Sequence, residues 1–173
     1  MRVYVPATIA MLEQLVAERE LVPVSRTAFA VTPALREAYH SGDEDELSEV
    51  AMAEAARASL RLIAAAVPEP GSDAPAPRFR RAVIAADVED ADAKHRPDLD
   101  DAVVRLDQVI TLKQVASVHV DLAEAEPDIE KAVAVIDDAD LGDADAEFVL
   151  GDAEDHELAW YATQEVPFLL ELL

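Results

Sequence analysis

A chain of 173 residues is the size of one domain and is long enough to bury a core of its own. Its 37 Asp and Glu residues outnumber 14 Lys and Arg, and the formal net charge of −23 argues against binding to nucleic-acid phosphates or to an anionic membrane, since both need a basic surface. The absence of cysteine excludes disulfides and thiolate metal sites.

The first part of the chain predicts two strands and three helices. No apolar run of signal-peptide length is visible at Met1-Arg2, so we expect a cytoplasmic protein. The long helix is the clearest element, because it is alanine-rich and Asp43 and Glu46 have the spacing of a capping box, and helical spacing predicts that its apolar face includes Ala58 and Ala65. In order, the elements are a strand at Arg2–Val5, a helix at Ile9–Arg19 capped by Thr8, a strand at Thr27–Val31, a helix from Pro33 to about His40 and the long helix from Glu44 to about Val67.

A loop rich in proline separates the two parts of the chain. Four of the ten prolines lie between Pro68 and Pro77, which predicts a surface loop over residues 68–79 within a single domain, 1–173. The second part predicts strands at Arg81–Val88, Ala102–Ile110, Ser117–Leu122 and Glu157–Ala162, a helical turn at Leu112–Ala116, a helix at Pro127–Asp138 and a terminal helix from Thr163.

The order of these elements predicts the fold class. Strands and helices do not alternate regularly, which favours an α+β fold over a doubly wound parallel sheet. We therefore expect a mixed or mostly antiparallel sheet of about six strands with helices packed on it. Charge is uneven along the chain, because residues 114–173 hold 17 acids and one base, Lys131.

An acidic string at Asp137–Glu147 is the most site-like segment. Its alternating carboxylates raise a calcium site as one interpretation, with Asp138, Asp140, Asp143 and Asp145 as candidate ligands. The EF-hand template fails, since a loop starting at Asp138 has Gly142 at the fifth position and Val149 at the twelfth. The commoner interpretation is a helix end that passes into an acidic turn, and we predict no metal.

Histidine and arginine supply the other candidate side chains. His119 and Asp121 are two apart on a predicted strand and so share a face, and they are candidates to bind a metal or to transfer a proton. His156 and Glu157, near the last strand, are candidates to join them. Arg57 and Arg61, four apart on the long helix, are candidates to clamp an anion, although pairing with Glu54 and other acids is the commoner outcome.

Sequence motifs of catalysis are absent. There is no G-x-S-x-G, no Ser-x-x-Lys and no glycine-rich phosphate loop among four glycines, so we predict no cofactor and favour a non-enzymatic role. The apolar end of the chain is instead a candidate interface. Its candidate contact residues are Trp160, Phe168, Leu169 and Leu172.

Five stretches resemble a family of small, acidic actinobacterial proteins of unknown function. They read MRVYVPAT at Met1–Thr8, AFAVTPAL at Ala28–Leu35, EAARASL at Glu54–Leu60, ASVHVD at Ala116–Asp121 and HELAWY at His156–Tyr161. They span nearly the whole chain but are not chemical motifs. The resemblance implies an actinobacterial, cytoplasmic origin and no particular activity.

Two functions are weighed from the sequence, and a third, a nucleic-acid mimic that occupies a basic groove of another protein, follows from the charge alone. The first is an acidic interaction or regulatory module that binds a protein partner or a second copy of itself, without membrane or phosphate contacts. The alternative is a small-molecule enzyme or binding protein that uses His119 and Asp121 with nearby carboxylates or arginines. A deep pocket where these groups converge favours the alternative, and a flat apolar patch favours the first.

Overall fold

Side-chain caps fix where several helices begin. In the computed structural model, which describes residues 1–173, the side chains of Thr8, Thr32, Asp43 and Asp143 each accept a hydrogen bond from the backbone N–H three residues further on. The helices are α1 (Ile9–Glu18), α2 (Pro33–Ala38), α3 (Glu44–Ala66), α4 (Glu126–Asp140), α5 (Ala144–Glu154) and α6 (Val166–Leu172). None of the six combines the length and the apolar character needed to cross a bilayer.

Nine strands form two antiparallel sheets. They are β1 (Arg2–Ala7), β2 (Glu20–Leu21), β3 (Thr27–Phe29), β4 (Ala82–Asp87), β5 (Ala93–His95), β6 (Val103–Leu106), β7 (Ile110–Thr111), β8 (Val115–Val120) and β9 (Ala159–Ala162). Seven of them form one sheet in the order β5-β6-β3-β1-β4-β8-β9, and β2 pairs with β7. The predicted α+β fold with an antiparallel sheet and packed helices is thus confirmed, with more strands than expected.

Helices cover both faces of the large sheet. Because side chains alternate along a strand, Val3 and Val5 of β1 point to one face and Tyr4 to the other. On the first side, here called the α1 face, α1 and α6 pack over these valines. On the other, the α3 face, α2 and the N-terminal half of α3 pack over Tyr4. The C-terminal half of α3 leaves the sheet and forms a third core with α4 and α5 through Leu60 and Ile63.

Two features of the second part differ from the sequence prediction. The acidic string does not end in a simple turn, because Asp143 caps a further helix, α5, whose Ala146, Leu150 and Ala153 are buried against α3 and α4. The predicted strand Ala102–Ile110 is divided into β6 and β7 by a bend at Asp107, whose N–H donates to the carbonyl of Asp92 at 2.8 Å. The strands β2, β5 and β7 are two or three residues long, too short to show a pattern.

Candidate functional site

A groove of about 1070 Å³ lies on the α3 face. One wall is a side of α3, and the other is the segment 154–158, here called the 154–158 turn, which runs from the last residue of α5 to β9. Tyr4 projects into it from the centre of the sheet. The apolar lining residues are Tyr4, Met52, Ala53, Ala56, Leu60 and Leu158.

Carboxylates surround this apolar lining. Asp45, Glu49, Glu54, Glu154 and Glu157 line the groove, and all except Glu54 are exposed. Glu54 is partly buried, and this desolvation, followed by the charge of Asp100, raises the pKa of its carboxyl. The groove therefore presents an anionic rim around an apolar base.

The two arginines that reach the groove are already paired. Arg57 donates to Glu147 at 2.8 Å and to Asp140 at 3.1 Å, and its Nη1 lies 3.7 Å from Glu154. The hydrogen bonds to Glu147 and then to Asp140 raise the pKa of Arg57. Because three carboxylates contact this one guanidinium, Arg57 is not free to bind an anionic ligand.

Arg81 and Asp121 form a buried ion pair beneath the groove. The side chains of Arg81 and Asp121 are 3% and 0% exposed, and two guanidinium N–H groups donate to the carboxylate at 2.8 and 2.9 Å. The backbone N–H of Arg81 donates to the same carboxylate at 2.8 Å, and its Nη2 donates to the carbonyl of His156 at 2.8 Å. The pair thus ties the end of β8 to the start of β4 and to the turn that forms one wall.

His156 itself ties that turn to α4. Its Nε2 lies 2.8 Å from the carboxylate of Asp128. The groove wall is therefore held at two points, by the His156 carbonyl on Arg81 and by the imidazole on Asp128, so its shape is set before any ligand arrives.

His119 and Asp121, although two residues apart, do not bond to each other. His119 lies on the α3 face of β8, where its Nε2 is 3.0 Å from the hydroxyl of Ser117, while Asp121 is committed to Arg81. Trp160 of β9 stands directly opposite His119 and projects from the same face beside the groove. Burial, and then the positive charge of Arg2, lowers the pKa of His119, so this imidazole is neutral at neutral pH.

We expect His119 to make the protein less stable as the pH falls below about 6.5, the ordinary value of an unfolded histidine. Its lowered pKa in the folded state means that the unfolded chain takes up the proton first, which favours unfolding as the pH moves down through this window. In His119→Gln, the loss of unfolding free energy between about pH 7 and about pH 5 should shrink. Urea unfolding at several pH values measures it; identical pH profiles for the two proteins would contradict the prediction.

The acidic string and the helix arginines are brought together across α3, α4 and α5. Asp140 accepts from Arg61 at 2.7 Å and from Arg57, and these bonds, Arg61 first, lower the pKa of its carboxyl. Asp143 caps α5, while Asp138 accepts backbone N–H bonds through its carbonyl oxygen. No group of three or more His, Asp or Glu side chains is placed to hold a metal ion.

A smaller pocket of about 300 Å³ adjoins the groove, since Tyr4 and Ser48 line both. Its cationic groups are matched by carboxylates: Arg2 lies 2.7 Å from Asp87, and Arg36 lies 2.7 Å from Glu44. The N-terminal ammonium is likewise 3.1 Å from Asp90. The pocket therefore has little excess positive charge.

The candidate interface residues divide between core and surface. Leu169 is 7% exposed and packs in the core of the α1 face. Trp160, Phe168 and Leu172 are 60%, 68% and 85% exposed. Sequence reasoning did not single out Arg81 or the groove acid Glu49, because neither belongs to a local motif.

The fold and groove define an acidic α+β protein with an antiparallel sheet and an anionic groove. The model of a family described as "Family of unknown function (DUF6912)" matches residues 1–170, and the chain belongs to that family. No curated protein and no solved structure matches the chain.

Proposed function

We propose that this protein is a binding module that receives a cationic, partly apolar segment of a partner protein in the groove between α3 and the 154–158 turn. The observation that supports this proposal is a wide groove with an apolar base and a rim of carboxylates. Basic side chains of a partner would meet Glu49, Glu54 and Glu157, and its apolar side chains would cover Met52 and Leu158. Such charge complementarity governs both encounter rate and choice of partner.

The state of the arginines supports a cationic rather than an anionic ligand. Arg81 is buried against Asp121, and Arg57 is shared among three carboxylates. Opening either pair to bind an anion would leave carboxylates unpaired in a protein of net charge −23. A basic ligand requires no such rearrangement.

A synthetic amphipathic peptide of Lys and Leu tests this function. We expect it to bind and to shift the backbone NMR signals of Met52, Ala53 and Leu158. A triple variant, Glu49→Gln, Glu54→Gln and Glu157→Gln, should weaken binding about tenfold or more, because three attractive charges are lost around a partly desolvated site. Added salt should also weaken binding by screening these charges.

A matched control separates the groove from total charge. The triple variant Glu13→Gln, Glu18→Gln and Glu20→Gln changes the net charge equally, but these exposed acids lie outside the groove, on α1 and β2. It should bind the peptide nearly as the wild type does. Equal weakening by both triple variants, or signal shifts scattered over the whole surface, would refute the groove as the binding site.

A second candidate, a small-molecule enzyme or binding protein, is favoured by one contact. The Ser117 hydroxyl lies 3.0 Å from Nε2 of His119, whose lowered pKa keeps it neutral and able to accept a proton. A nitrophenyl ester tests this candidate: hydrolysis that exceeds the rate of Ser117→Ala and His119→Ala would support catalysis, and equal rates for all three proteins would remove it.

A further inference from the structure

We infer that β9 is the site at which a second copy of this chain joins, pairing its own β9 antiparallel across a two-fold axis to continue the sheet. β9 is the last strand of the seven-stranded order, so one of its sides has no partner. This inference does not rest on the proposed function, although Leu158, which lines the groove, directly precedes β9.

The unpaired backbone groups can be assigned to particular residues. The N–H of Asp121 donates to the Arg81 carbonyl beside β4. The backbone N–H and carbonyl groups of the odd-numbered residues of β8 therefore point toward β4, and those of Val118 and Val120 point toward β9. Their partners in β9 are Tyr161 and Ala159. The backbone N–H and carbonyl of Trp160 therefore point away from β8, toward the open edge of the sheet.

The N–H of Ala162 agrees with this assignment. It donates to the carboxylate of Glu165 at 3.1 Å, on the side away from β8. Pairing centred on Trp160 would place Trp160 opposite its own copy, where the two residues exchange both N–H and carbonyl groups. The arrangement is isologous, since each copy contributes the same surface.

The two edges of the sheet differ in how they are protected. At the β5 edge, Lys94 has a side chain that is 70% exposed, and Pro97 follows soon after; charge and proline are common ways to block strand addition. At the β9 edge, Leu158–Gln164 contains no charged residue and no proline, in a chain where 29% of residues are charged. The β9 edge is thus left open to pairing.

Exposed apolar side chains lie on both faces near this edge. Trp160 projects from the α3 face with 60% of its surface exposed. On the α1 face, α6 follows β9 directly and exposes Phe168 and Leu172, one helical turn apart. A second copy joined at β9 would bring Trp160 against its counterpart and leave both α6 helices on the same face of the extended sheet, and the Trp160 contact removes aromatic surface from water.

The neutral character of the edge favours a second copy over a basic peptide. A cationic partner would find one carboxylate at this edge, that of Glu165, which already accepts from the Ala162 N–H, whereas two like-charged copies can meet best where the strand itself carries no charge. Because each copy has a net charge of −23, salt should strengthen this association by screening the repulsion. Salt has the opposite effect on a basic ligand in the groove, so the two interactions can be told apart.

Light scattering after size exclusion tests the inference on the wild-type chain. We expect the mass to rise from 18.7 kDa toward twice that value between about 10 μM and about 500 μM protein, and to do so at lower concentration in about 0.5 M than in about 0.1 M salt. The chain has a single tryptophan, so its emission should shift to the blue over the same concentration range as Trp160 becomes buried. A monomer throughout, at both salt concentrations, would overturn the inference.

Two substitutions of equal charge locate the contact. Trp160→Glu should abolish the dimer, while Leu141→Glu, at an 87% exposed position in the turn after α4, should leave it unchanged. Circular dichroism confirms that each variant is folded. A dimer that survives Trp160→Glu, or one that is lost with Leu141→Glu alone, would place the interface elsewhere and refute the assignment to β9.

Discussion

Asp121→Ala should lower the free energy of unfolding by about 3–5 kcal/mol, the usual range when one partner of a buried ion pair is removed. The substitution leaves Arg81 charged and 3% exposed, and it removes the acceptor of three hydrogen bonds, from the Arg81 backbone N–H, Nε and Nη2. Urea unfolding followed by circular dichroism measures this loss.

The exposed pair Arg2–Asp87 provides the control for Asp121→Ala. It has a comparable two-point geometry, at 2.7 and 3.0 Å, but its side chains are about half exposed, so Asp87→Ala should cost no more than about 1 kcal/mol. Similar losses for the two variants would contradict the importance of burial.

Asp121→Ala should also affect the groove. Arg81 holds the carbonyl of His156, so loss of Asp121 frees one of the two anchors of the 154–158 wall. We therefore expect Asp121→Ala to weaken binding of the Lys/Leu peptide, although Asp121 is fully buried and cannot contact a ligand. Unchanged affinity in the folded variant would show that the wall does not depend on Arg81.

Ser59→Ala should cost about 2 kcal/mol, because it leaves buried backbone groups without a partner. Ser59 is fully buried in α3; its hydroxyl donates to the carbonyl of Ala7 at 2.7 Å and accepts from the N–H of Ala82 at 3.1 Å. It thus joins the helix to the ends of β1 and β4, the central strands of the sheet.

Ser48→Ala on the same helix is the matched control for Ser59→Ala. Its hydroxyl bonds only to the Glu44 carbonyl within the helix, so its replacement should change stability by less than about 0.5 kcal/mol. Thermal unfolding of both variants decides the matter: equal melting temperatures would mean that the Ser59 bridge contributes little.

Elements with strong local signals were predictable. β1, β4 and the long helix α3 follow from apolar runs, a capping aspartate and alanine content, and the fold class follows from their order. The charge of the surface was equally visible in composition. These features depend on residues close together in the sequence.

The buried side of α3 could not be predicted from the local spacing of apolar residues. The predicted apolar stripe includes Ala58 and Ala65, but the C-terminal half of α3 buries Ser59, Leu60 and Ile63, and Ala65 is exposed. The reason is a change of neighbour, since the first half of the helix packs on the sheet and the second half packs on α4 and α5. No local sequence pattern indicates that change of neighbour.

The groove was not predictable for a related reason. Arg81 and Asp121 are 40 residues apart and meet through the register of β4 and β8, and the other wall comes from a turn that follows a helix missing from the sequence prediction. The acidic string offered a metal site as one interpretation, but its carboxylates cap a helix and neutralise Arg57 and Arg61. Tertiary partners determined the role of each group.

The central position of β1 affects how the chain folds during synthesis. β1 ends at Ala7, yet its neighbour β4 starts at Ala82, 75 residues later. At ordinary rates of synthesis a ribosome needs about 4–15 s to make that interval, and during this time an apolar strand has emerged without its main partner. We therefore expect the nascent chain to complete its sheet late and to depend on chaperones that shield its first residues.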